Sequence, residues 1–290
     1  MNVIGVQVLY KPDEELLQKA LKSIIKQVDL LIIINNTPDV YSPLSLYDNN
    51  ISKKIVYYPL GENVGIAKAQ NIGIQEALIY MPQYIAFFDQ DSIPDDSMIK
   101  TLIRDFELLK MRMLSPAIIG PSIVNRQTSS EYAGLIKKGI EICDNIVEVE
   151  DVISSGSIIP IEIIKKIGLM DSVLFIDGVD HEWCWRARKY GFKCFFSRNT
   201  ILEHQVGSRS VSFFGIPINI CTPFRLYYIF RNYVILCSRS YVPKYWKISH
   251  LFKNIIYFVY YPLCKKNRLS YLFSMIKGVY YGLKYLISKQ

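Results

Sequence analysis

The chain has 290 residues, half of them hydrophobic, with 34 Lys and Arg against 26 Asp and Glu. That is enough apolar material for one large domain, or for one domain with an appendage. No run of 18 uncharged apolar residues occurs, which argues against a transmembrane helix. Six cysteines without C-x-x-C spacing, and a start unlike a signal peptide, predict a reduced, cytosolic protein.

The first 115 residues alternate between strand-like and helix-like segments. Apolar runs rich in β-branched residues predict strands, and amphipathic stretches predict the helices that connect them. Repeated β-α-β units of this kind predict a Rossmann-like α/β fold, a parallel sheet with helices on both faces. The predicted strands are Val3–Leu9, Leu30–Ile34, Ile55–Pro59 and Tyr84–Phe88, and the predicted helices are Leu16–Ile25, Ile66–Leu78 and Asp95–Met111.

The middle of the chain is less regular. It predicts three more strands, two helices and one polar loop. The strands are Ala117–Val124, a segment near Val152–Ser155, and Phe192–Phe196; the helices are Ile161–Ile167 and Val179–Tyr190; the loop is Asn125–Glu131.

From about residue 222 the chain becomes helical, basic and aromatic, so we divide it into an α/β domain, 1–221, and a helical region, 222–290. After Glu203 there are 13 Lys and Arg and no Asp or Glu. Basic residues among aromatic ones favour an anionic membrane surface as partner. Nucleic acid is disfavoured, because the region is too apolar and has no nucleic-acid motif. A narrow polar stripe on Leu269–Ile287 fits membrane docking or packing on the domain equally well.

Asp89 and Asp91 follow the apolar run of the fourth predicted strand, with only Gln90 between them. In α/β sheets, ligands bind outside the carboxyl ends of the strands. Mg²⁺ is commonly held by one or two carboxylates together with substrate phosphates. The pair therefore predicts a clamp for a divalent metal and a diphosphate. An ordinary turn is the alternative, because Asp is common where strands end.

Two further segments add candidate ligand groups. In Asn63–Gly73, at a predicted strand-to-helix junction, Gly65 permits close backbone approach and the helix offers free N–H groups to an anion. The alternative there is an Asn helix cap. His204 follows a predicted strand, where it completes a metal site or is merely structural.

Three carboxylates crowd the start of one predicted helix: Asp177, Asp180 and Glu182. One aspartate could cap the helix, and Glu182 could pair with Arg186 one turn later. That account leaves a second aspartate unexplained. A carboxylate at a helix start beside a cleft is suited to act as general base for a hydroxyl nucleophile.

Together these motifs resemble the inverting family-2 glycosyltransferases of the GT-A fold. Within that family they are most similar to bacterial rhamnosyltransferases that build O-antigen and related cell-surface polysaccharides. The resemblance covers residues 3–232. It is carried by the N-x-G-x-A segment that runs to Asn71, by Asp89-Gln90-Asp91-Ser92, by Ser155-Gly156 and by the run from Phe175 to Arg186.

The resemblance implies a role for each motif residue. Asp180 would be the catalytic base, and Asp89, Asp91 and His204 would hold Mg²⁺ or Mn²⁺. The family often has Asp where this chain has Asn35, and Glu182 replaces a commoner Asp. The residues implied to bind the nucleotide sugar are Tyr10, Pro12, Asn35, Asn63, Gly65, Asn71, Asp89, Gln90, Ser155, Gly156 and Arg231; those implied on the acceptor side are Asp177, Glu182 and Trp183.

The resemblance also implies a reaction. A sugar would move in one inverting displacement to a hydroxyl of a glycan carried on a polyprenyl diphosphate lipid, with L-rhamnose from dTDP-L-rhamnose favoured over UDP-linked hexoses or N-acetylhexosamines. The basic C-terminal region would hold the enzyme on the inner face of the plasma membrane. The alternatives are a phosphatase with an Asp-x-Asp motif and a non-enzymatic scaffold at the membrane surface.

Overall fold

The computed structural model describes residues 2–38, 53–125, 139–204, 210–213 and 216–288. The strands are β1 (Val3–Leu9), β2 (Leu30–Asn35), β3 (Ile55–Pro59), β4 (Tyr84–Asp89), β5 (Ile93–Pro94), β6 (Pro116–Asn125), β7 (Ile140–Cys143), β8 (Ile146–Val149), β9 (Ile158–Pro160), β10 (Lys193–His204), β11 (Ser210–Phe213) and β12 (Ile216–Asn219). Ten of them form a central sheet in the order β3-β2-β1-β4-β9-β6-β10-β8-β7, with β5 paired to β10. A separate hairpin joins β11 and β12.

Helices cover both faces of the sheet, as the α/β prediction requires. Two single 3₁₀ turns, Leu78–Tyr80 and Ser172–Leu174, lie among them. The α-helices are α1 (Glu14–Ile24), α2 (Ile66–Ala77), α3 (Met98–Met111), α4 (Ile161–Ile167), α5 (Val179–Lys189), α6 (Pro223–Cys237), α7 (Lys244–Cys264) and α8 (Arg268–Ile287).

The first half of the sheet is parallel. β1 lies between β2 and β4, and β3 pairs with the outer side of β2. In the second half β6 and β10 are parallel, whereas β5, β7, β8 and β9 run antiparallel to their neighbours. The predicted mostly parallel sheet is therefore confirmed. Because β1, β2 and β4 run in one direction, the loops that follow them meet at a single edge of the sheet.

One predicted strand is wrong. The segment near Val152–Ser155 is irregular, and the strand that pairs with β4 comes later, at Ile158–Pro160. A turn separates the two, in which the Ser157 N–H donates to the Ser154 carbonyl at 2.9 Å. Gly156 supplies the positive φ of +76° that this turn requires. The predicted polar loop lies, after Asn125, outside the described residues.

Alternate residues of β1 enter two different cores, as the two-residue period of a strand demands. Ile4 and Val6 pack with helices α2 and α5 on one face, whereas Val3 and Leu9 pack with α1 and α3 on the other. The sheet is therefore buried on both sides, and only its edge at the strand ends is left to bind ligands.

The C-terminal helices share the first of these cores. Ile235 and Leu236 of α6, and Trp246 of α7, belong to this core, in which the Trp246 ring lies 5.1 Å from the Trp185 ring of α5. This cluster contains residues from both sides of the predicted boundary between residues 221 and 222, and the division into two regions stays a prediction. None of the described helices is long and apolar enough to span a membrane. The six cysteines are all free thiols.

The predicted helix Leu269–Ile287 is confirmed as α8, and its packing has a clear cause. Gly278 and Gly282 bring it against α6 so closely that a Cβ on Gly278 would lie 2.5 Å from the Tyr227 carbonyl oxygen. The glycine face is thus buried. Large apolar side chains elsewhere on α8, such as Phe273 and Ile287, are left exposed.

Candidate active site

A cleft of about 1330 Å³ opens at the carboxyl edge of the parallel strands. Its walls come from the exits of β1, β2 and β4, from the loop after β8, and from the start of α5. The structure thus brings together residues from distant parts of the sequence. The predicted site residues that line it are Tyr10, Asn63, Gly65, Asp89, Gln90, Asp91, Ser155, Asp177 and Asp180.

Asp89 and Asp91 lie on the cleft wall at the end of β4, held by their surroundings. The side-chain oxygen of Gln90, between them, accepts a hydrogen bond from the Tyr10 N–H at 2.7 Å, which ties the end of β4 to the end of β1. The Gln7 amide donates to the Asp89 carbonyl at 3.1 Å. The two carboxylates therefore stand on a braced strand exit and face a space large enough for a nucleotide.

Asp180 is the second residue of α5 and lines the same cleft. The cap of this helix is Gly178, and no side chain caps it, so neither Asp177 nor Asp180 is explained as a helix cap. Burial raises the pKa of the Asp180 carboxyl, while the neighbouring His181 and hydrogen bonds from Ser154 partly counter that rise. A carboxylate with a raised pKa accepts a proton more readily, as a general base must.

Four residues near Asp180 complete the site and were not predicted: Gln70, Asp151, Ser154 and His181. The Gln70 side-chain N–H donates to the Ser154 hydroxyl oxygen at 3.0 Å, which leaves the hydroxyl hydrogen for Asp180. Nδ1 of His181 lies 3.0 Å from an Asp151 carboxylate oxygen. Burial lowers the pKa of His181, but Asp151 and Asp180 outweigh that effect and raise the pKa overall.

A signal for some of these residues was present in the sequence. Gln70 lies inside the Asn63–Gly73 motif, and His181 lies beside Asp180, so both fall within segments already singled out. Asp151 and Ser154 stand in an irregular segment that we predicted as a strand, and no pattern there points to a site.

Replacing Ser154 by Ala should move the acidic limb of the kcat/KM profile to higher pH. The substitution removes the hydroxyl that lowers the pKa of Asp180, so the carboxyl becomes protonated, and inactive as a base, at a higher pH. A pH–rate series measures the shift. Ser122→Ala, also buried but outside the cleft lining, is the matched control; equal limbs for wild type and Ser154→Ala would contradict the assignment.

Gly65 occupies its position for two reasons. Its φ is +83°, and a Cβ there would lie 2.6 Å from the Phe175 ring. We expected the N–H groups at the start of α2 to be free to bind an anion. The Ala67 N–H is not free, because it donates to the Phe175 carbonyl oxygen at 3.4 Å. Asn63 does not cap the helix either. Its side-chain oxygen accepts from the Gly65 N–H, in a turn that precedes α2.

Three residues predicted to bind the nucleotide sugar instead support the loop that leads to α5 or the turn beside it. The Asn71 side chain bonds to both the backbone N–H and the carbonyl of Met170, at 2.9 and 2.8 Å. Arg231 donates to the Leu174 carbonyl at 3.0 Å and stacks on the Tyr228 ring. Gly156 is buried and donates to the Phe87 carbonyl. None of the three lines the cleft.

Two residues predicted on the acceptor side lie in the core. Glu182 is 1% exposed and pairs with Arg186 at 2.9 Å and Arg239 at 3.0 Å, which confirms the expected pair within α5. The buried Trp183 donates its ring N–H to the Gly168 carbonyl at 2.9 Å. Both side chains thus join α5 to its surroundings rather than facing the cleft.

The remaining predictions fall at the edge of the site. Asn35 is buried, and its side chain bonds to the Tyr57 hydroxyl and the Thr37 N–H. Pro12 is half-buried and is not part of the cleft lining. His204 ends β10, and its side chain lies outside what the structure describes.

Comparison with known proteins identifies the family. Residues 8–168 match the sequence profile of Glycosyl transferase family 2. The chain belongs to glycosyltransferase family 2. It is 31% identical over 293 residues to the dTDP-rhamnosyl transferase RfbF of Shigella flexneri, covering 98% of this chain and 96% of that protein. The resemblance inferred from the motifs is therefore confirmed, and the protein is a glycosyltransferase.

Solved structures of low sequence identity share the fold. Residues 1–349 of S. aureus TarS in complex with UDP give a TM-score of 0.60 at 14% identity, covering 96% of this chain and 81% of that one. GalNAc-T7 with UDP, GalNAc and Mn²⁺ gives 0.59 at 14% identity, covering 91% of this chain and 57% of that one. The predicted GT-A architecture of this family-2 enzyme is thus confirmed.

Proposed function

We propose that the protein transfers L-rhamnose from dTDP-L-rhamnose to a glycan hydroxyl during synthesis of a cell-surface polysaccharide such as O-antigen. The observation that carries this proposal is the 31% identity to a dTDP-rhamnosyl transferase along nearly the whole of both chains. A UDP-hexose or UDP-N-acetylhexosamine donor is the second candidate, since TarS, which shares the fold, was solved with UDP-GlcNAc.

The reaction in the cleft is a single displacement at the anomeric carbon of the donor sugar. Asp180 removes the proton from the acceptor hydroxyl, and that oxygen attacks the anomeric carbon from the face opposite the diphosphate. The bond from the anomeric carbon to the diphosphate oxygen breaks as the new bond forms, and dTDP leaves. The sugar therefore changes configuration, and no covalent enzyme intermediate is required.

The donor set in the cleft fits a divalent metal. Asp89 and Asp91 both line the cleft and carry carboxylate oxygens, the ligand atoms that hard divalent cations prefer. This suits Mg²⁺ or Mn²⁺, which are held by one or two carboxylates plus substrate phosphates. When bound, the metal would stabilise negative charge on the leaving diphosphate. His204 remains a predicted third ligand.

The proposal is tested by donor binding. Purified protein is melted with dTDP, dTDP-L-rhamnose, UDP or UDP-N-acetylglucosamine, each with Mn²⁺. A ligand present at 100 times its Kd stabilises the folded state by about 2.7 kcal/mol, so the preferred nucleotide should raise Tm most. A larger shift with the UDP compounds than with the dTDP compounds would favour the second candidate, and no shift with any nucleotide would contradict both.

The acceptor in this proposal is a glycan on a polyprenyl diphosphate lipid, and the enzyme binds the inner face of the plasma membrane through α7 and α8. Both helices expose large apolar side chains, more than isolated surface residues would explain. Thirteen basic and no acidic residues follow Glu203, which suits an anionic lipid surface. The exposed apolar residues include Ile248, Phe252, Ile255 and Leu263 on α7 and Leu269, Phe273, Ile276, Leu283 and Ile287 on α8.

Phe273→Glu should weaken binding to phosphatidylglycerol vesicles, because it places an anion among the exposed apolar and basic residues of α8. Co-sedimentation measures the bound fraction. Each basic residue near such a surface contributes about 1 kcal/mol, so binding should also fall as salt rises. Tyr190→Glu, at the exposed aromatic residue that follows the last residue of α5, is the matched control. Wild-type protein that ignores anionic vesicles at low salt would rule out the membrane proposal.

A further inference from the structure

A second cavity, of about 170 Å³, lies beside the cleft, between the loop that precedes α5 and the helices α6 and α7. We call it the Asn254 pocket. It is defined by Tyr233, Trp246, His250, Lys253, Asn254 and Tyr257. The residues that line both this pocket and the cleft are Asp177, Gly178, His181 and Arg225. Since Asp180 stands within that shared stretch, the pocket adjoins the proposed base.

The pocket contains buried polar atoms that the described residues do not satisfy. Asn254 is 5% exposed, yet neither its amide nitrogen nor its amide oxygen has a hydrogen-bond partner there. The ring nitrogen of Trp246, 7% exposed, is in the same situation. Burying an amide without partners costs free energy, and such groups are few in folded proteins. Three of them at one cavity point to a ligand.

The chemistry of these atoms selects the kind of ligand. The Asn254 side chain presents two donors and one acceptor, and Trp246 adds one donor. An ionised phosphate only accepts, so it would leave the amide oxygen unpaired. A hydroxyl group both donates and accepts, so a set of hydroxyls satisfies all three atoms.

The size and walls of the pocket agree with this choice. A single water needs about 10–15 Å³, a small part of the space present, so one buried water does not account for the cavity. The aromatic side chains of Tyr233, Trp246 and Tyr257 provide apolar surface beside the polar groups. Apolar walls with a few placed polar groups are typical of small-molecule sites, and they match the C–H faces and hydroxyls of a sugar ring.

We propose that the Asn254 pocket binds a pyranose unit of the acceptor glycan, beside the hydroxyl that Asp180 deprotonates. This inference rests on the proposed function and deepens it, because it assigns acceptor recognition to α7. The nucleotide part of the donor occupies the cleft on the far side of Asp180, near Asp89 and Asp91. Donor binding therefore does not depend on Asn254.

The test measures sugar binding directly. Saturation-transfer NMR is recorded for the full-length protein with Mg²⁺ and dTDP, using the methyl glycosides of L-rhamnose, glucose, galactose and N-acetylglucosamine as probes. At least one glycoside should receive saturation from the wild-type protein. Asn254→Leu, of similar size but without hydrogen-bonding groups, should raise the Kd of that glycoside about tenfold or more. Asn267→Leu, the same change at an exposed residue outside the pocket, should leave this Kd unchanged.

The outcomes separate the two proposals. Equal binding to wild type and Asn254→Leu, or no binding of any glycoside to wild type, overturns the inference about the pocket. Should Asn254→Leu fail to fold, Trp246→Phe removes the unpaired ring N–H donor, keeps an aromatic side chain and should also weaken binding. Release of dTDP from dTDP-L-rhamnose by wild-type protein, with Mn²⁺ and an acceptor-bearing membrane extract and no added dTDP, tests the donor proposal separately. Its failure would reject that proposal whatever the glycosides do.

Discussion

Replacing Asp180 by Asn should lower turnover of dTDP-L-rhamnose by about 10²–10⁴-fold, the range for a positioned general base. Asn has nearly the same size and does not accept the proton. Since α5 is capped by Gly178 and not by this side chain, the fold should survive the change. Release of dTDP in the presence of a membrane extract that carries acceptor glycans measures turnover, and a thermal shift with dTDP and Mn²⁺ shows that donor binding is intact.

Asp177→Asn is the control, because this aspartate is three residues away and lines the same cleft. Its carboxylate pairs with Arg225 at 2.7 Å, and its φ is +64°, a conformation that Asn tolerates well. The amide oxygen of Asn still accepts a hydrogen bond from Arg225, so turnover should fall far less. Near-normal turnover in Asp180→Asn, together with an inactive Asp177→Asn, would show that the base is Asp177 and not Asp180.

Asp91→Ala should lower turnover by about 10²-fold or more and remove the part of nucleotide binding that requires Mn²⁺. The reason is that a metal at this site supplies several kcal/mol of stabilisation to the leaving diphosphate. Binding of dTDP is measured by calorimetry with and without Mn²⁺. Asp96→Ala, at an exposed carboxylate a few residues away and outside the cleft lining, is the control and should behave as wild type.

Chelation gives an independent check on the same site. Excess EDTA should inactivate the wild type, and added Mn²⁺ should restore it. Undiminished turnover in EDTA would contradict the assignment of Asp89 and Asp91 to a metal, although it would leave Asp180 as the base.

Local sequence patterns predicted the strands and motifs of this enzyme that are determined by residues close together in the sequence. The strands at residues 3–9 and 84–88 were predicted correctly, because buried parallel strands are continuous apolar runs. Asp89 and Asp91 were predicted as site residues because they follow such a run directly, and α/β sheets bind ligands at the carboxyl ends of their strands. The start of α5 was found because three carboxylates in six residues exceed what helix capping uses.

What local patterns missed depends on contacts between distant segments. Asn71 and Arg231 belong to recognisable motifs, but only the fold shows that their side chains bond to the loop from Met170 to Leu174. Glu182 was expected on the acceptor side. It became a buried ion-pair centre because Arg239, 57 positions later, reaches it from the end of α6.

Donor turnover with a panel of nucleotide sugars tests both the donor and the role of Asp180. Purified full-length protein is incubated with acceptor-bearing membrane extract, Mn²⁺ and one of dTDP-L-rhamnose, UDP-glucose, UDP-galactose or UDP-N-acetylglucosamine, and the released nucleotide is measured. We expect release of dTDP from dTDP-L-rhamnose to be well above release of UDP from any UDP-sugar, and to be lost in Asp180→Asn. Release of UDP without release of dTDP, or equal rates in wild type and Asp180→Asn, would contradict this expectation.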